Sequence, residues 1–441
     1  MPKAFREHIC YGTIDGVEIW SSCEQVVSQN AVSSIFTARL YTVPFDEKAP
    51  ADENNFNFRV ALKYSFFYRK VGNVPLLVKF RTSCHNPWVV ELLGCYVDPS
   101  TVHTLGGTVT VSVLEYTPYS SLMNLLKVKE QFTEEQVRCV LEDVLEGLQY
   151  IHEEAGMCHN DLKPHNILVF EADKSSLSYH TNYEEEPPVR DDYKLNFTRG
   201  DYKYKIADFE ALDLNNPIET ARGRPPSFDN FFGTYLYVSP EYCVGVSDSA
   251  TNDVWSLGIM TYQLVTGKVP WRPTESFCSH IIVNSFRSKY GTIDNLFRVG
   301  IDGVMPQTGS VTSSPTSEDG DTHNIANASS AMSVTHEAFA EFGPDLSELD
   351  LPMYSDELRD FIRSCLIQNP LLRIRGSDLR DHPFLKDINI STFFSFLFFF
   401  SSFSFSHFFT AVRFFLLFQP FFFIHISFFC IYLFVNISNY N

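Results

Sequence analysis

The stretch His159-Asn160-Asp161-Leu162-Lys163-Pro164-His165-Asn166-Ile167-Leu168-Val169 puts a carboxylate, an amine and an amide on one short loop and then turns apolar, as a loop entering a strand does. Asp161 can orient an attacking hydroxyl and receive its proton. Lys163 can neutralise charge on a transferred phosphoryl group, and Asn166 can hold a magnesium ion beside it. A lone Asp-x-x-x-x-Asn is more often a turn stabilised by local side-chain hydrogen bonds. Two later strings shift the balance: Ile206-Ala207-Asp208-Phe209-Glu210 and Gly233-Thr234-Tyr235-Leu236-Tyr237-Val238-Ser239-Pro240-Glu241.

In type, order and spacing these three strings resemble the catalytic loop, the metal-binding motif and the end of the activation segment of the eukaryotic protein kinase family. Lys163 followed by Pro164 resembles the Ser/Thr type. The resemblance implies an α+β, bilobal kinase fold: a small antiparallel β-sheet N-lobe with one helix, and a larger, mostly helical C-lobe. It implies ATP and Mg2+ as cofactors and protein Ser/Thr hydroxyls as acceptors. Carried over residue by residue, it makes Asp161, Lys163 and Lys63 catalytic, with Lys63 in Val60-Ala61-Leu62-Lys63 touching the α- and β-phosphates. Asn166 and Asp208 become the metal ligands. Ser28, Asn30 and Ser33 fall at the three positions of the phosphate-covering loop. Leu114 takes the gatekeeper place, and backbone groups near Glu115 and Thr117 face adenine.

Four departures from the family pattern stand out. No glycine occupies Ser28, Asn30 or Ser33, so each side chain restricts the backbone over the phosphates. Asn160 replaces the arginine that reads an activation-segment phosphate, although Thr220, Ser227 and Tyr235 are conceivable phosphosites. The family holds its strand lysine with a glutamate from the next helix, yet Tyr64 to Val90 contains no Asp or Glu and is interrupted by Pro75. A carboxylate from elsewhere, Glu53 or Glu91 for instance, would have to reach Lys63. Glu210 replaces a glycine, with two open consequences: tighter magnesium binding or repulsion of phosphate. A second reading follows, a pseudokinase scaffold that binds partners with weak or no transfer. Against it, Asp161, Lys163, Asn166, Asp208 and Lys63 are all retained.

A chain of 441 residues is long enough for a two-lobed domain with additions. Its formal charge of −19 disfavours nucleic acid and anionic membranes, both of which need a basic face. Ten scattered Cys without a Cys-x-x-Cys pair read as reduced thiols of a cytoplasmic or nuclear protein.

Residues 1–16 read as an N-terminal extension and 17–387 as the kinase domain: N-lobe 17–114, hinge 115–118 and C-lobe 119–387. Polar inserts are expected at about 171–201 and 303–343. Val137, Val140, Leu141, Val144, Leu145, Leu148 and Ile151 form a helical apolar stripe behind a Thr133 cap. By resemblance, Asp253 bonds the catalytic-loop backbone, Glu241 pairs with Arg373 and Thr234 bonds Asp161. Residues 388–441 collapse to Phe, Ser, Leu and Ile, as translation of thymine-rich noncoding sequence would. The alternative, a membrane anchor over Phe414–Val435, meets Pro420 and His425 inside the span.

Overall fold

Alternation along residues 58–67 shows how the smaller lobe is built. Val60 and Leu62 are fully buried on one face of the strand, while Lys63 and Ser65 sit on the other. In the computed structural model the described residues are 9–14, 17–29, 33–41, 58–67, 80, 86–98, 108–172, 201–225, 233–271, 280–304 and 342–386. Asn30, Glu53, Ser227, the 173–200 and 305–341 stretches and the Phe-rich end lie outside them. Among the described residues no helix is long and apolar enough to cross a membrane.

Six strands make the N-lobe sheet: β1 (Ile9–Ile14), β2 (Val17–Gln29), β3 (Ser33–Tyr41), β4 (Phe58–Phe67), β5 (Leu92–Asp98) and β6 (Thr108–Glu115). Every pairing is antiparallel, in the order β1-β2-β3-β4-β6-β5. The sheet starts earlier than the sequence suggests, because residues expected in an N-terminal extension pair with β2 as an added edge strand. Ala38, Leu40, Val60, Leu62, Val111 and Val113 form the core of this lobe. Register sets Lys63 opposite Ile35 and Ser112, so the lysine stands mid-sheet on the face away from that core. Of the expected helix only Phe80 is described, as helical and buried.

The C-lobe begins with α1 (Leu122–Lys129) and α2 (Glu134–Gln149). A reciprocal capping box between Thr133 and Gln136 starts α2, and its predicted apolar stripe is buried throughout. A single π-helical turn, Tyr150–Glu154, delivers the chain to the short strand β7 (Met157–Cys158) and the catalytic loop. Strands β8 (Ile167–Glu171) and β9 (Tyr202–Ile206) form a hairpin in the register Ile167↔Ile206 to Glu171↔Tyr202. The first polar insert therefore leaves from the tip of this hairpin, as its composition implies. Strand β10 (Asp213–Leu214) pairs with β7.

Short α3 (Pro240–Cys243) precedes α4 (Thr251–Thr266), which is buried on nearly every side. Then come α5 (His280–Tyr290), α6 (Ile293–Leu296), α7 (Asp356–Cys365), α8 (Gly376–Leu379) and α9 (Pro383–Lys386). A Cβ on Gly258 would stand 2.7 Å from Cys365, so glycine is what lets α4 and α7 lie so close.

Asp143 on α2 ties the lobes together. Its carboxylate accepts the Trp88 indole N–H at 2.8 Å and the Tyr204 backbone N–H at 2.8 Å. Burial outweighs these two donors and pushes its pKa up to about 6. The folded state therefore binds this proton more tightly than the unfolded chain. The resulting stabilisation is complete below the ordinary carboxylate pKa and is lost as pH rises through 6. Urea denaturation should show wild-type stability falling by about 2 kcal/mol between pH 4 and pH 7, relative to Asp143→Asn. Parallel pH profiles for the two proteins would refute this linkage.

Candidate active site

Asp253 organises the catalytic loop from below. Fully buried at the start of α4, it accepts the backbone N–H groups of His159 and Asn160, each at 2.7 Å, and pairs with His152 Nε2 at 2.8 Å. Burial opposes ionisation here, but His152 and these donors hold its carboxyl below the usual range. The buttressing role that the motif implies for Asp253 is thus what the structure contains.

Asn160 adopts φ 65°, a left-handed geometry that Asn accepts more readily than most residues. Its Nδ2 donates to Ser247 O at 2.9 Å and Ala211 O at 3.1 Å, and its Oδ1 accepts from Asn252 Nδ2 at 3.1 Å. A neutral amide therefore ties the loop to the segment after Phe209, where the family arginine would meet a phosphate.

The side chains of the loop converge. Lys163 Nζ donates to Asp161 Oδ2 at 2.5 Å and to Thr234 Oγ1 at 2.6 Å. Thr234 was expected on Asp161; it is instead bonded to Lys163, whose ammonium bridges the two. Asn166 Nδ2 donates to Asp161 O at 2.8 Å and to Oδ2 at 3.1 Å. Asp161 Oδ1 is buried and has no hydrogen-bond partner among the described residues. One oxygen of the carboxylate is thus held in place, and the other is an open acceptor.

Asp208 reaches this cluster because the β8–β9 register brings Ile206 beside Ile167, and Ala207 N–H donates to Asn166 O at 2.8 Å. Its φ of 70° is strained for a non-glycine residue, as is common where a side chain must be aimed at a functional point. Phe209 is buried, packed 4.8 Å from the Phe80 ring and 5.9 Å from His159. Burial works against the Asp208 charge, but Lys63 beside it keeps the carboxyl below its ordinary range.

Lys63 Nζ lies 2.7 Å from Asp208 Oδ1 and 3.1 Å from Glu210 Oε1. Burial would lower the lysine pKa, yet the two carboxylates raise it well above normal, so the ammonium is firmly charged. Ser65, two residues along the same face of β4, donates a short hydrogen bond to the same Glu210 oxygen. Glu210, left ambiguous by the sequence, is turned toward Lys63 and joins Asp208 there; of the two suggested acids, Glu53 lies outside the described residues. The absence of acids from Tyr64 to Val90, read together with an acid in a glycine position, was the available signal.

Around these groups Lys63, Leu92, Ser112, Leu114, Asp208, Phe209 and Glu210 line a small pocket. Leu114 stands there beside Lys63, as its gatekeeper assignment requires. Glu115 N–H donates to Glu91 O at 3.0 Å, and its carboxylate accepts Lys205 Nζ at 2.7 Å and Glu91 N–H at 2.9 Å. Thr117 Oγ1 donates to Val169 O at 2.5 Å. The hinge is thereby strapped to β8 and β9. Ser28 and Ser33 lie at the end of the β2–β3 hairpin, with Ser28 opposite Ile35 and Ser33 opposite Ser65.

Gly233 passes beside the open oxygen at φ 126°; an added Cβ would stand 3.0 Å from Asn160 O and 3.7 Å from Asp161 Oδ1. On the reading of Asp161 as the catalytic base, Gly233→Ala should lower phosphoryl transfer by about 100-fold while the protein stays folded, since a small misplacement at the reacting atoms costs that much. Steady-state rates beside a melting curve check this, and an unimpaired variant would show that the close approach is irrelevant.

Comparison with known proteins agrees with this geometry. The protein kinase domain model matches residues 77–385, beginning downstream of Lys63. Mitogen-activated protein kinase kinase kinase 18 of Arabidopsis thaliana is 25% identical over 309 residues, covering 70% of this chain and 64% of that protein. Mitogen-activated protein kinase kinase 1 of the same plant is 26% identical over 309 residues, covering 69% and 62%. The chain thus spans somewhat less than two thirds of these relatives' own length. In the yeast Saccharomyces cerevisiae, serine/threonine-protein kinase PKH2 is 27% identical over 202 residues, covering 44% of this chain and 15% of that protein. With most of the chain matched and the matched strings meeting in one cleft, this protein belongs to the protein kinase family.

Proposed function

We propose that the protein transfers the γ-phosphate of ATP to serine or threonine hydroxyls of protein substrates. The observation that carries this reading is the split environment of Asp161: Oδ2 is fixed by Lys163 and Asn166, and Oδ1 is buried and left without a hydrogen-bond partner among the described residues. A substrate hydroxyl bonded to Oδ1 is oriented toward the γ-phosphorus and gives its proton to Asp161 as the new O–P bond forms. The bond to the β–γ bridging oxygen breaks, and ADP leaves. Lys163 stabilises the phosphoryl oxygens, and Lys63 positions the α- and β-phosphates.

Asn166 and Asp208 offer oxygen donors suited to a hard divalent cation, and the charge on Asp208 is secured by Lys63. These residues fit Mg2+, which when bound neutralises phosphate charge. The hinge strand near Glu115 and Thr117 would receive adenine, and the β2–β3 hairpin with Ser28, Asn30 and Ser33 would cover the phosphates.

The scaffold reading rests on that hairpin, which carries no glycine from Val26 to Ile35, on the missing helix glutamate and on Glu210 in a glycine position. The test that separates the two is transfer from ATP to a generic basic or acidic protein with Mg2+, followed by phosphoamino-acid analysis. Phosphoserine or phosphothreonine supports the enzyme. Silence, with nucleotide still raising the melting temperature, makes the protein a scaffold.

A further inference from the structure

We infer that Glu210 is the acid that anchors Lys63, a task the family gives to a glutamate on the helix after that strand, and that this hands control of the lysine to the Asp208-Phe209-Glu210 loop. The inference deepens the phosphoryl-transfer reading by naming what positions one of its phosphate-binding groups. Its first support is an absence in the chain itself: no carboxylate occurs between Tyr64 and Val90. Its second is geometry. Glu210 Oε1 lies 3.1 Å from Lys63 Nζ and accepts from Ser65 Oγ, so strand period alone supplies both partners from one face of β4.

Asp208 also touches Lys63, but Asp208 is the residue required for the metal. A lysine held by Asp208 alone would lose its partner whenever that carboxylate turned to a cation. Among the described residues Glu210 is the second carboxylate on the ammonium, and Ser65 fixes which way that carboxylate points.

The anchor is carried by a loop that is itself tied down. Ile206 is paired with Ile167, Ala207 N–H is bonded to Asn166, and Phe209 is packed between Phe80 and His159. The catalytic lysine, the metal ligand and the catalytic loop therefore form one connected unit. Placement of Lys63 answers to the conformation of that loop, and the chain from Tyr64 to Val90 has no acid with which to withdraw it. Glu210 is a positioning residue, acting on nucleotide through Lys63.

A double-mutant cycle tests this, reading binding of a non-hydrolysable ATP analogue with Mg2+ to the full chain by calorimetry. Glu210→Gln, close in shape, should weaken binding by roughly 10-fold, the scale of one lost charged hydrogen bond. In a Lys63→Ala background the same change should do nothing further. Ser65→Ala should give a smaller loss in the same direction, and none once Glu210 is Gln. Where transfer is measurable, Glu210→Gln should lower kcat more than it raises KM, because an unanchored lysine still meets phosphate but is less well placed. Unchanged or tighter binding by Glu210→Gln, or additive losses in the double variant, would overturn the inference. So would wild-type protein that binds no nucleotide. A silent wild type whose binding loss in Glu210→Gln vanishes without Lys63 would sink the transfer reading and leave the anchor standing.

Discussion

Asp161→Asn is expected to lower kcat by between about 100- and 10,000-fold, the contribution of a positioned general base, while nucleotide binding stays near wild type. The split follows from the geometry. Asp161 touches Lys163 and Asn166, whereas Lys63 is held by Asp208 and Glu210, so the lysine that positions the α- and β-phosphates does not depend on it. An Asn side chain keeps the shape and can still accept from Lys163, yet it cannot take up a hydroxyl proton. The measurement is single-turnover transfer from ATP to a protein acceptor, paired with the nucleotide-induced rise in melting temperature. A variant with near-normal turnover would remove Asp161 from the chemistry and would refute the assignment of Oδ1 as the acceptor of the substrate proton.

Removing one partner of the Glu241–Arg373 pair is expected to have the largest effect on folding. Both side chains are completely inaccessible, and the guanidinium grips the carboxylate through two bonds, Nη1 to Oε1 at 2.5 Å and Nη2 to Oε2 at 2.9 Å. The same guanidinium donates to Thr251 O, Ile367 O and Gln368 O, so it joins α3, the start of α4 and the chain after α7. Arg373→Met leaves a buried carboxylate without a counter-charge and should cost about 3–5 kcal/mol. Glu241→Gln leaves a buried cation and should cost nearly as much. The pair itself contributes less than either loss, because burying two charges is costly to begin with. The double variant should therefore recover part of the deficit, and chemical denaturation of all four proteins reads the coupling. Losses that simply add would mean that the two groups do not act as a pair.

How much of this was legible beforehand depends on how close in the chain the interacting groups lie. Asp161, Lys163 and Asn166 share one loop, so the chemistry of the catalytic carboxylate could be read from neighbouring letters. The α2 stripe and its capping box follow from helical spacing and from the Thr133 hydroxyl, both local properties. The strands from Val17 onward are visible as alternation, whereas Ile9–Ile14 becomes a strand only through pairing with β2. The partner of Thr234 is not legible in the sequence, because Lys163 lies between its hydroxyl and Asp161 and takes the bond.

Glu210 marks the boundary most clearly. From the amino-acid order alone, this chain is committed to a kinase fold, to a carboxylate, an amide and a lysine on one loop, and to the absence of an acid between Tyr64 and Val90. Which acids reach Lys63 depended on two strand registers, β4 against β6 and β8 against β9, and on a side chain turning toward Lys63 instead of toward the metal position. Electrostatic pairing acts over a few ångströms of space and takes no account of separation along the chain. A group displaced from its customary place can therefore be recognised as missing from the sequence, but its substitute is found only where the folded backbone brings charges into contact.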